Sequence, residues 1–409
     1  MVGAGPAGAT AAAILGYAGA KVALIDKATF PRDKACGDLI GPRAVALSQD
    51  LGVRFSARPR LVSDMILVGP KGNELVLPAE AGISYPGVGW LMSRRDFDLA
   101  LFDHAIAAGA EFIGERLEKV SDQERRYSLK LSNGSSLICD ALIGADGAIS
   151  QVARDLALVD ETQARYGFAI RAYVEAEVST PVISLIGDAK MGLFPGYGWL
   201  FADLDGFCNV GVGVGVLADR RRGARATAAL PGYLELLQQQ GRLGKGEIAL
   251  TRKLGGWLKM GSTGVDPARG RALLVGDAAG LVNPLQGEGI FAAMDSGRAA
   301  AYSLLDQSRS PHLSYKAHLR EMHLDFATSA SVLQRLALEH PKAAYFAANL
   351  LTSNFAPGIL GSAWGIYWND LMAGSGPIRG AQLARGISRI ATLAAMATPE
   401  RKIVEHALS

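Results

Sequence analysis

Apolar and polar positions alternate along three stretches in the middle of the chain, residues 166–178, 182–185 and 209–216. A period of two sends successive side chains to opposite faces of a strand, so these stretches predict an antiparallel sheet. Residues 56–93 and 166–253 are assigned to it. Shorter apolar runs, each opened by one charged residue, lie elsewhere: residues 21–25, 140–143 and 271–275 each run into an acidic or Gly-rich turn. That is the pattern of buried strands feeding helices. Residues 9–18 form a helix of small side chains. From about residue 310 the pattern turns helical, with a long amphipathic stretch over 312–340. An apolar segment broken by Pro and Gly follows over 343–374, with Trp364, Tyr367 and Trp368 close together. Residues 379–402 predict a basic, alanine-rich helix, and Arg220-Arg221-Arg222 a solvated loop.

At 409 residues the chain is too long for one simple core, and two or three lobes are expected. A net charge of +3 is too small to point to nucleic acid. Cys36, Cys139 and Cys208 lie far apart and form no CxxC pair, which argues against a disulfide framework or a zinc site and fits a reducing cytosol. None of the six histidines has metal-ligand spacing, so no metal is predicted. No apolar run reaches the roughly 18 residues of a spanning helix, and no signal peptide is expected.

The N-terminus carries the first chemistry. Gly3-Ala4-Gly5-Pro6-Ala7-Gly8 supplies GxGxxG before the small-residue helix, and the next apolar run ends in Asp26. Gly3 permits the turn, Gly5 lets the backbone approach a pyrophosphate, and Gly8 lets helix and strand pack closely. The helix N-terminus offers free N–H groups to phosphates, and Asp26 would accept hydrogen bonds from ribose hydroxyls. Only Met1 and Val2 precede the glycines. The first strand is therefore expected to be nearly absent, either because the start is assigned late or because the chain is truncated.

Two later segments repeat the plan of strand, Gly-Asp turn and helix. They are Gly144-Ala145-Asp146-Gly147, and Gly276-Asp277-Ala278-Ala279-Gly280 followed by Pro284-Leu285-Gln286-Gly287-Glu288-Gly289-Ile290. With Arg94 before a helix (Arg95 is the alternative), the ordered segments resemble the FAD-dependent superfamily of aromatic hydroxylases, flavin halogenases and geranylgeranyl reductases. The resemblance implies an α/β fold. A Rossmann-like FAD-binding domain of the glutathione-reductase and aromatic-hydroxylase type joins an antiparallel-sheet substrate domain and a C-terminal helical region. The FAD lobe is expected over residues 1–55, 94–165 and 254–305, the helical region over 306–409. A carboxylate at either Gly-Asp turn, Asp146 or Asp277, can bind ribityl hydroxyls. Lys27, Gly144, Gly147, Gly276, Ala278, Pro284, Gly287, Glu288, Gly289 and Ile290 complete the cofactor contacts it implies. Glu288 is read as bonding the loop backbone, and Asp98 as an acid at the helix start. Ala153 stands where the family usually has Arg, with Arg154 next.

Phe30-Pro31-Arg32-Asp33-Lys34-Ala35-Cys36-Gly37-Asp38 narrows the branch. It is similar to the FPRxKxCG stretch of geranylgeranyl reductases and menaquinone side-chain reductases. Pro195-Gly196-Tyr197-Gly198-Trp199-Leu200-Phe201 and Asn209-Val210-Gly211-Val212-Gly213 resemble that branch's PxxYxWxFP and NVGxG signatures, with Ala202 in place of the last proline. The resemblance implies an FAD-dependent reductase saturating double bonds of a polyprenyl lipid, a geranylgeranyl or menaquinone chain. The alternative is a monooxygenase that hydroxylates or epoxidises an apolar or aromatic metabolite. A halogenase is the weaker third reading, because its WxWxIP stretch is missing.

Cys36, Gly37 and Asp38 lie where a loop can approach the flavin. Cys36 is read either as a catalytic thiol that shields the ring or supplies a proton, or as a small buried hydrophobe. Tyr197 and Trp199 form either an aromatic wall for the prenyl chain or ordinary core. No second GxGxxG is present, so NAD(P)H, a ferredoxin or another flavoprotein is the expected electron donor. A cytoplasmic protein is expected, with the C-terminal helices either capping the lobes or docking on the inner face of the membrane.

Overall fold

The structure, a computed structural model, describes residues 1–78, 88–124, 126–202, 206–217, 219–353, 393, 396 and 398–409. The short apolar runs form a parallel core. Ala23–Ile25 pairs with Glu111–Ile113, and Leu142–Gly144 with Ala272–Leu274. Val2 sits between the pairs and bridges Ile25 on one side and Gly144 on the other. Its N–H donates to the Ile143 carbonyl at 3.0 Å, and Gly3 N–H donates to the Ile25 carbonyl at 2.7 Å. The first strand is thus one bridged residue that still holds the centre of the sheet.

Helix α1 (Pro6–Tyr17) leaves this core with its alanines buried. A side chain on Gly8 would place Cβ 1.9 Å from the Gly3 carbonyl oxygen, so only glycine lets α1 lie so close. Next come α2 (Pro42–Asp50), α3 (Arg94–Ala107) and α4 (Gln151–Asp155). Ser93 caps α3 by accepting the Asp96 N–H.

Among the described residues a seven-stranded sheet runs in the order Thr251–Met260, Arg165–Glu175, Phe207–Leu217, Gly196–Ala202, Val182–Ser184, Asp64–Val68 and Glu74–Pro78. Its pairs are antiparallel except Val182–Ser184 with Asp64–Val68. One face is covered by α5 (Ala224–Gln239), whose Leu230, Tyr233, Leu234 and Leu237 meet Val210, Val212 and Val214. This helix departs from the sequence reading, which assigned its residues to the sheet. Pro231 and Gly232 inside it mask a spacing of i, i+3, i+4 and i+7. Arg220–Gly223 is a 3₁₀ turn leading into α5, in place of the expected loop.

The opposite sheet face carries three cross-strand rows. Tyr173, Asn209 and Phe201 form the first, Arg171, Gly211 and Trp199 the second, and Ala169, Gly213 and Tyr197 the third. Valines and glycines alternate along residues 210–216, so the valines fill the α5 side and the glycines leave a trough on this one. The Trp199 indole lies in it: a Cβ on Gly211 would stand 2.2 Å from that ring.

Helix α6 (Ile290–Leu305) rests on α1 through Gly297, where a Cβ would lie 2.2 Å from the Ala7 carbonyl oxygen. Buried Asp295 ties α6 to α7 (Pro311–Glu339) by accepting from His318 at 2.9 Å. Burial alone would raise the Asp295 carboxyl. The His318 hydrogen bond and the nearby His323, 3.4 Å away, more than offset that and hold it well below the usual carboxylate range. Helices α8 (Pro341–Leu351) and α9 (Pro399–Leu408) follow. Trp364, Tyr367, Trp368 and most of the expected helix over 379–402 lie outside the described residues.

Candidate functional site

A cleft of about 620 Å³ opens where α1 meets the parallel sheet. Gly3, Gly5, Pro6 and Ala7 line one wall, and Asp26 and Lys27 one end. Gly5 enters α1 in an extended conformation, no side chain caps the helix, and Pro6 stands in its first turn. The first-turn N–H groups and the positive dipole end are thereby left for an anion. Asp26 is fixed by the N–H groups of Ala4 at 2.8 Å and Ala28 at 2.9 Å. Glycine cradle, uncapped helix and oriented carboxylate together fit the adenosine and pyrophosphate half of FAD.

Further along the cleft the two Gly-Asp turns differ. Asp146 spends its carboxylate on α4, accepting from Ser150 Oγ at 2.6 Å, Gln151 N–H at 2.7 Å and Val152 N–H at 3.0 Å. Burial raises its carboxyl, partly offset by these bonds. Asp277 instead faces Lys34, 3.7 Å away. Both turn carboxylates line the cleft. Gly147 and Gly276 line the cleft as well. Gly144 does not: it packs beneath Val152 and Leu274.

The remaining expected contacts, Ala278, Pro284, Gly287, Glu288, Gly289 and Ile290, do not line this cleft and gather around the head of α6. Glu288 caps α6, its Oε1 accepting the Phe291 N–H at 2.8 Å, and burial raises its carboxyl. Ala278 and Ile290 are buried beside this turn, and Gln334 donates to the Pro284 carbonyl at 2.7 Å. Tyr197 donates its hydroxyl to the Gln286 carbonyl, and a Cβ on Gly287 would lie 3.2 Å from that hydroxyl. Gly289 is the N-cap of α6. Tyr197 therefore reaches from the sheet to the turn at the head of α6.

Cys36, Gly37 and Asp38 pack against the aromatic rows. A Cβ on Gly37 would stand 2.9 Å from the Phe201 ring and 3.3 Å from Trp199 Nε1. Trp199 Nε1 donates to Asn209 Oδ1 at 2.9 Å. Asn209 Nδ2 then donates to the Cys36 carbonyl and to Asp38 Oδ2, each at 2.8 Å. One side-chain amide thus ties the loop to the sheet at two points, Cys36 and Asp38. Arg171, fully buried, binds Asp33 and the Lys34 carbonyl from the adjacent row.

Arg94 opens α3, as the sequence reading has it. It does not line the cleft but forms a buried bidentate pair with Asp98, at 2.7 Å for both bonds, and faces the Cys36 thiol. Asp98 lies one turn inside α3, where Arg32 reaches it at 3.0 Å. Arg32 lines the cleft, as do Arg116 and Arg154. Arg95 is exposed. Burial pushes the Cys36 thiol up, with Arg94 pulling the other way, so the sulfur holds its proton. Arg171 and Tyr173 carry this geometry without having been singled out from sequence, and Arg32 and Asn209 were read there only as members of branch motifs, with no role of their own. For Asn209 the signal was present, since it heads the Asn209-Val210-Gly211-Val212-Gly213 motif and is a polar residue in an otherwise apolar strand.

A family described as an FAD binding domain matches residues 1–190, and FAD is the cofactor. The menaquinone reductase of Mycolicibacterium smegmatis is 34% identical over 83% of this chain and 83% of its own. The geranylgeranyl diphosphate reductase of Rhodobacter capsulatus is 31% identical over 74% of this chain and 73% of its own. A solved geranylgeranyl bacteriochlorophyll reductase-like protein of Thermoplasma acidophilum shares the fold, with a TM-score of 0.68 at 21% identity over 99% of this chain and 96% of its own. This chain belongs to the family of FAD-dependent oxidoreductases that contains the menaquinone and geranylgeranyl reductases.

Proposed function

We propose that this protein saturates isolated double bonds in the isoprenoid chain of a polyprenyl lipid, a geranylgeranyl group or a menaquinone tail. The observation that carries the reading is the aromatic file Tyr197, Trp199 and Phe201, set on a glycine trough and pinned to the Cys36 loop. The names of the relatives support it.

An isolated alkene has no carbonyl to accept charge, so reduction needs a hydride on one carbon and a proton on the other. FAD, once bound and reduced, supplies the hydride. The chain's residues do the rest. Trp199 and Phe201, packed among Val62, Met65 and Leu91, present an apolar wall that orients an isoprene unit and excludes water. Cys36, neutral through burial, holds a proton, and the Arg94 guanidinium steadies the sulfur once that proton has left. Cys36, Tyr197 and Trp199 are accordingly the proposed catalytic residues. FAD is held by the glycine wall with Asp26 and Lys27 at one end, and by Asp277 with the turn at the head of α6 at the other.

The reductant is proposed to be external: NAD(P)H, a ferredoxin or another flavoprotein. No helix among the described residues is long and apolar enough to cross a membrane. Docking at a membrane surface is the proposed route to the lipid, supported by Phe346 and Leu350, which α8 leaves exposed.

Anaerobic incubation of reduced protein with polyprenyl lipids, read by mass spectrometry, tests the reading. A gain of two hydrogens per double bond is expected. No change until air is admitted, then one added oxygen atom, would replace it with a monooxygenase. Asn209→Ala, which releases the Cys36 loop, is expected to lower turnover about 100-fold, the cost of a misplacement of about 1 Å. FAD affinity, measured by flavin fluorescence, should stay within about threefold, since Asn209 lies outside the nucleotide cleft.

A further inference from the structure

One buried carboxylate has no chemical task in that reading. Asp38 ends the Cys36–Gly37–Asp38 turn with φ at 64°, a region that favours glycine. It accepts hydrogen bonds from the Tyr173 hydroxyl, from Asn209 Nδ2 at 2.8 Å and from the Arg94 backbone N–H at 3.3 Å. Its own backbone N–H faces the Cys36 sulfur. Beside it lies a second cavity of about 230 Å³, distinct from the cofactor cleft. Asp38, Tyr173 and Asn209 form its polar lining, Leu91 and Phe201 its apolar one, and the exposed Arg58 and Asp96 also border it. At roughly 30 Å³ each, several waters fit there, with the polar partners that ordered water needs.

Every double bond reduced consumes one proton along with the hydride, and the aromatic wall closes the site to bulk water. We propose that Asp38 is the proton-holding group of this site, taking protons from water in the 230 Å³ cavity and resupplying Cys36 after each turnover. This rests on the reductase reading above. The Cys36 S–H bond breaks as a C–H bond forms on one alkene carbon, and the hydride forms the other C–H bond. The Asp38 O–H bond then breaks as S–H is restored, and cavity water returns a proton to Asp38. The net change is one proton from solvent and one hydride, with its two electrons, from the reduced cofactor. Asp38 acts through Cys36 and so positions a proton without touching substrate.

The surroundings of Asp38 suit the task. Burial raises its carboxyl to about 6, against the opposing pull of the Tyr173 and Asn209 hydrogen bonds and the Arg171 and Arg94 charges. Tyr173 and Arg171 face it from one strand, Asn209 from the next, Arg94 from α3 and Cys36 from its own turn. Asp96 and Arg58 share its cavity. An acid of that strength exchanges protons readily near neutrality.

The test uses the FAD-loaded protein and its Asp38→Asn and Tyr173→Phe variants. In the wild type, an infrared carbonyl band of a buried carboxylic acid is expected to grow as pH falls through about 6. Asp38→Asn should lack that band, lose the matching limb of the pH–rate profile and turn over about 100-fold more slowly, the lower end of the effect usual for a positioned acid. FAD affinity should stay within about threefold. Tyr173→Phe removes a donor that favours the charged form, so band and limb should move up together by about one pH unit. A band that survives in Asp38→Asn, or wild-type turnover and pH profile in that variant, overturns the proposal. If Asp38→Asn does not fold, Tyr173→Phe decides: joint movement supports the proposal, and an unmoved limb sinks it. No double-bond reduction by the wild type removes the reductase reading and this proposal together. Equal reduction by wild type and Asp38→Asn removes this proposal alone.

Discussion

Gly3→Ala is expected to yield protein that purifies without flavin. Gly3 sits at φ 97°, where an L side chain costs about 1–2 kcal/mol. The larger cost is steric. An added Cβ would stand 2.2 Å from the Ala145 carbonyl oxygen and 2.5 Å from its carbon, and neither is a side chain that could rotate away. Relief requires moving Val2–Gly3 off the strand that ends at Gly144, which opens the wall of the cleft. A loss of about 3 kcal/mol corresponds to more than 100-fold in FAD affinity. Gly19→Ala is the control: its φ is 82°, but nothing lies within 4 Å of the added carbon. That variant should lose some stability and keep its flavin. The ratio of flavin to protein absorbance reads both, and wild-type flavin content in Gly3→Ala would show that the cleft tolerates the shift.

The second large effect is expected at Asp98. This carboxylate is fully buried and serves two guanidinium groups, Arg94 through two bonds of 2.7 Å and Arg32 at 3.0 Å. Asp98→Ala leaves the buried Arg94 charge without its partner, a change that typically costs about 3–5 kcal/mol. Arg94→Met combined with Asp98→Leu removes both charges and should recover most of that loss in urea unfolding at pH 7. Equal stability of Asp98→Ala and the wild type would mean that solvent reaches Arg94. The pH dependence has a definite sign. Burial alone would raise the Asp98 carboxyl, but Arg94 and Arg32 hold it below the usual range. Its contribution is therefore present above about pH 4 and fades as pH falls through the lower folded value, so the gap to Asp98→Asn should narrow in acid.

Arg94 also shows where sequence reading reaches its limit. An arginine opening a helix looks like a cofactor contact, and its partner Asp98 four residues on is legible as a helical pair. What turns the pair inward is Arg32, brought to the same carboxylate from the segment before α2. Asp146 tells a similar story. The Gly-Asp turn was legible, but its carboxylate went to the open N-terminus of α4, and the matching turn at Asp277 was left facing the cleft. Helix α5 escaped notice because Pro231 and Gly232 break the propensity while leaving the spacing of buried leucines intact.

The sequence by itself determined the glycine turns, the acid at the end of the second strand, the alternation of valine and glycine over 210–216 and the Cys-Gly-Asp loop. Each is a local backbone requirement, written in a few adjacent residues that must adopt a particular turn or present a particular face. Only the tertiary structure decided that Trp199 fills the glycine trough, that Asn209 holds a loop 173 residues away, and that Asp38 meets Tyr173 beside a cavity of its own. Those meetings depend on strand register and on how the sheet seats against the parallel core. Register is a long-range property, set by the pairing of whole strands, and no short motif specifies it.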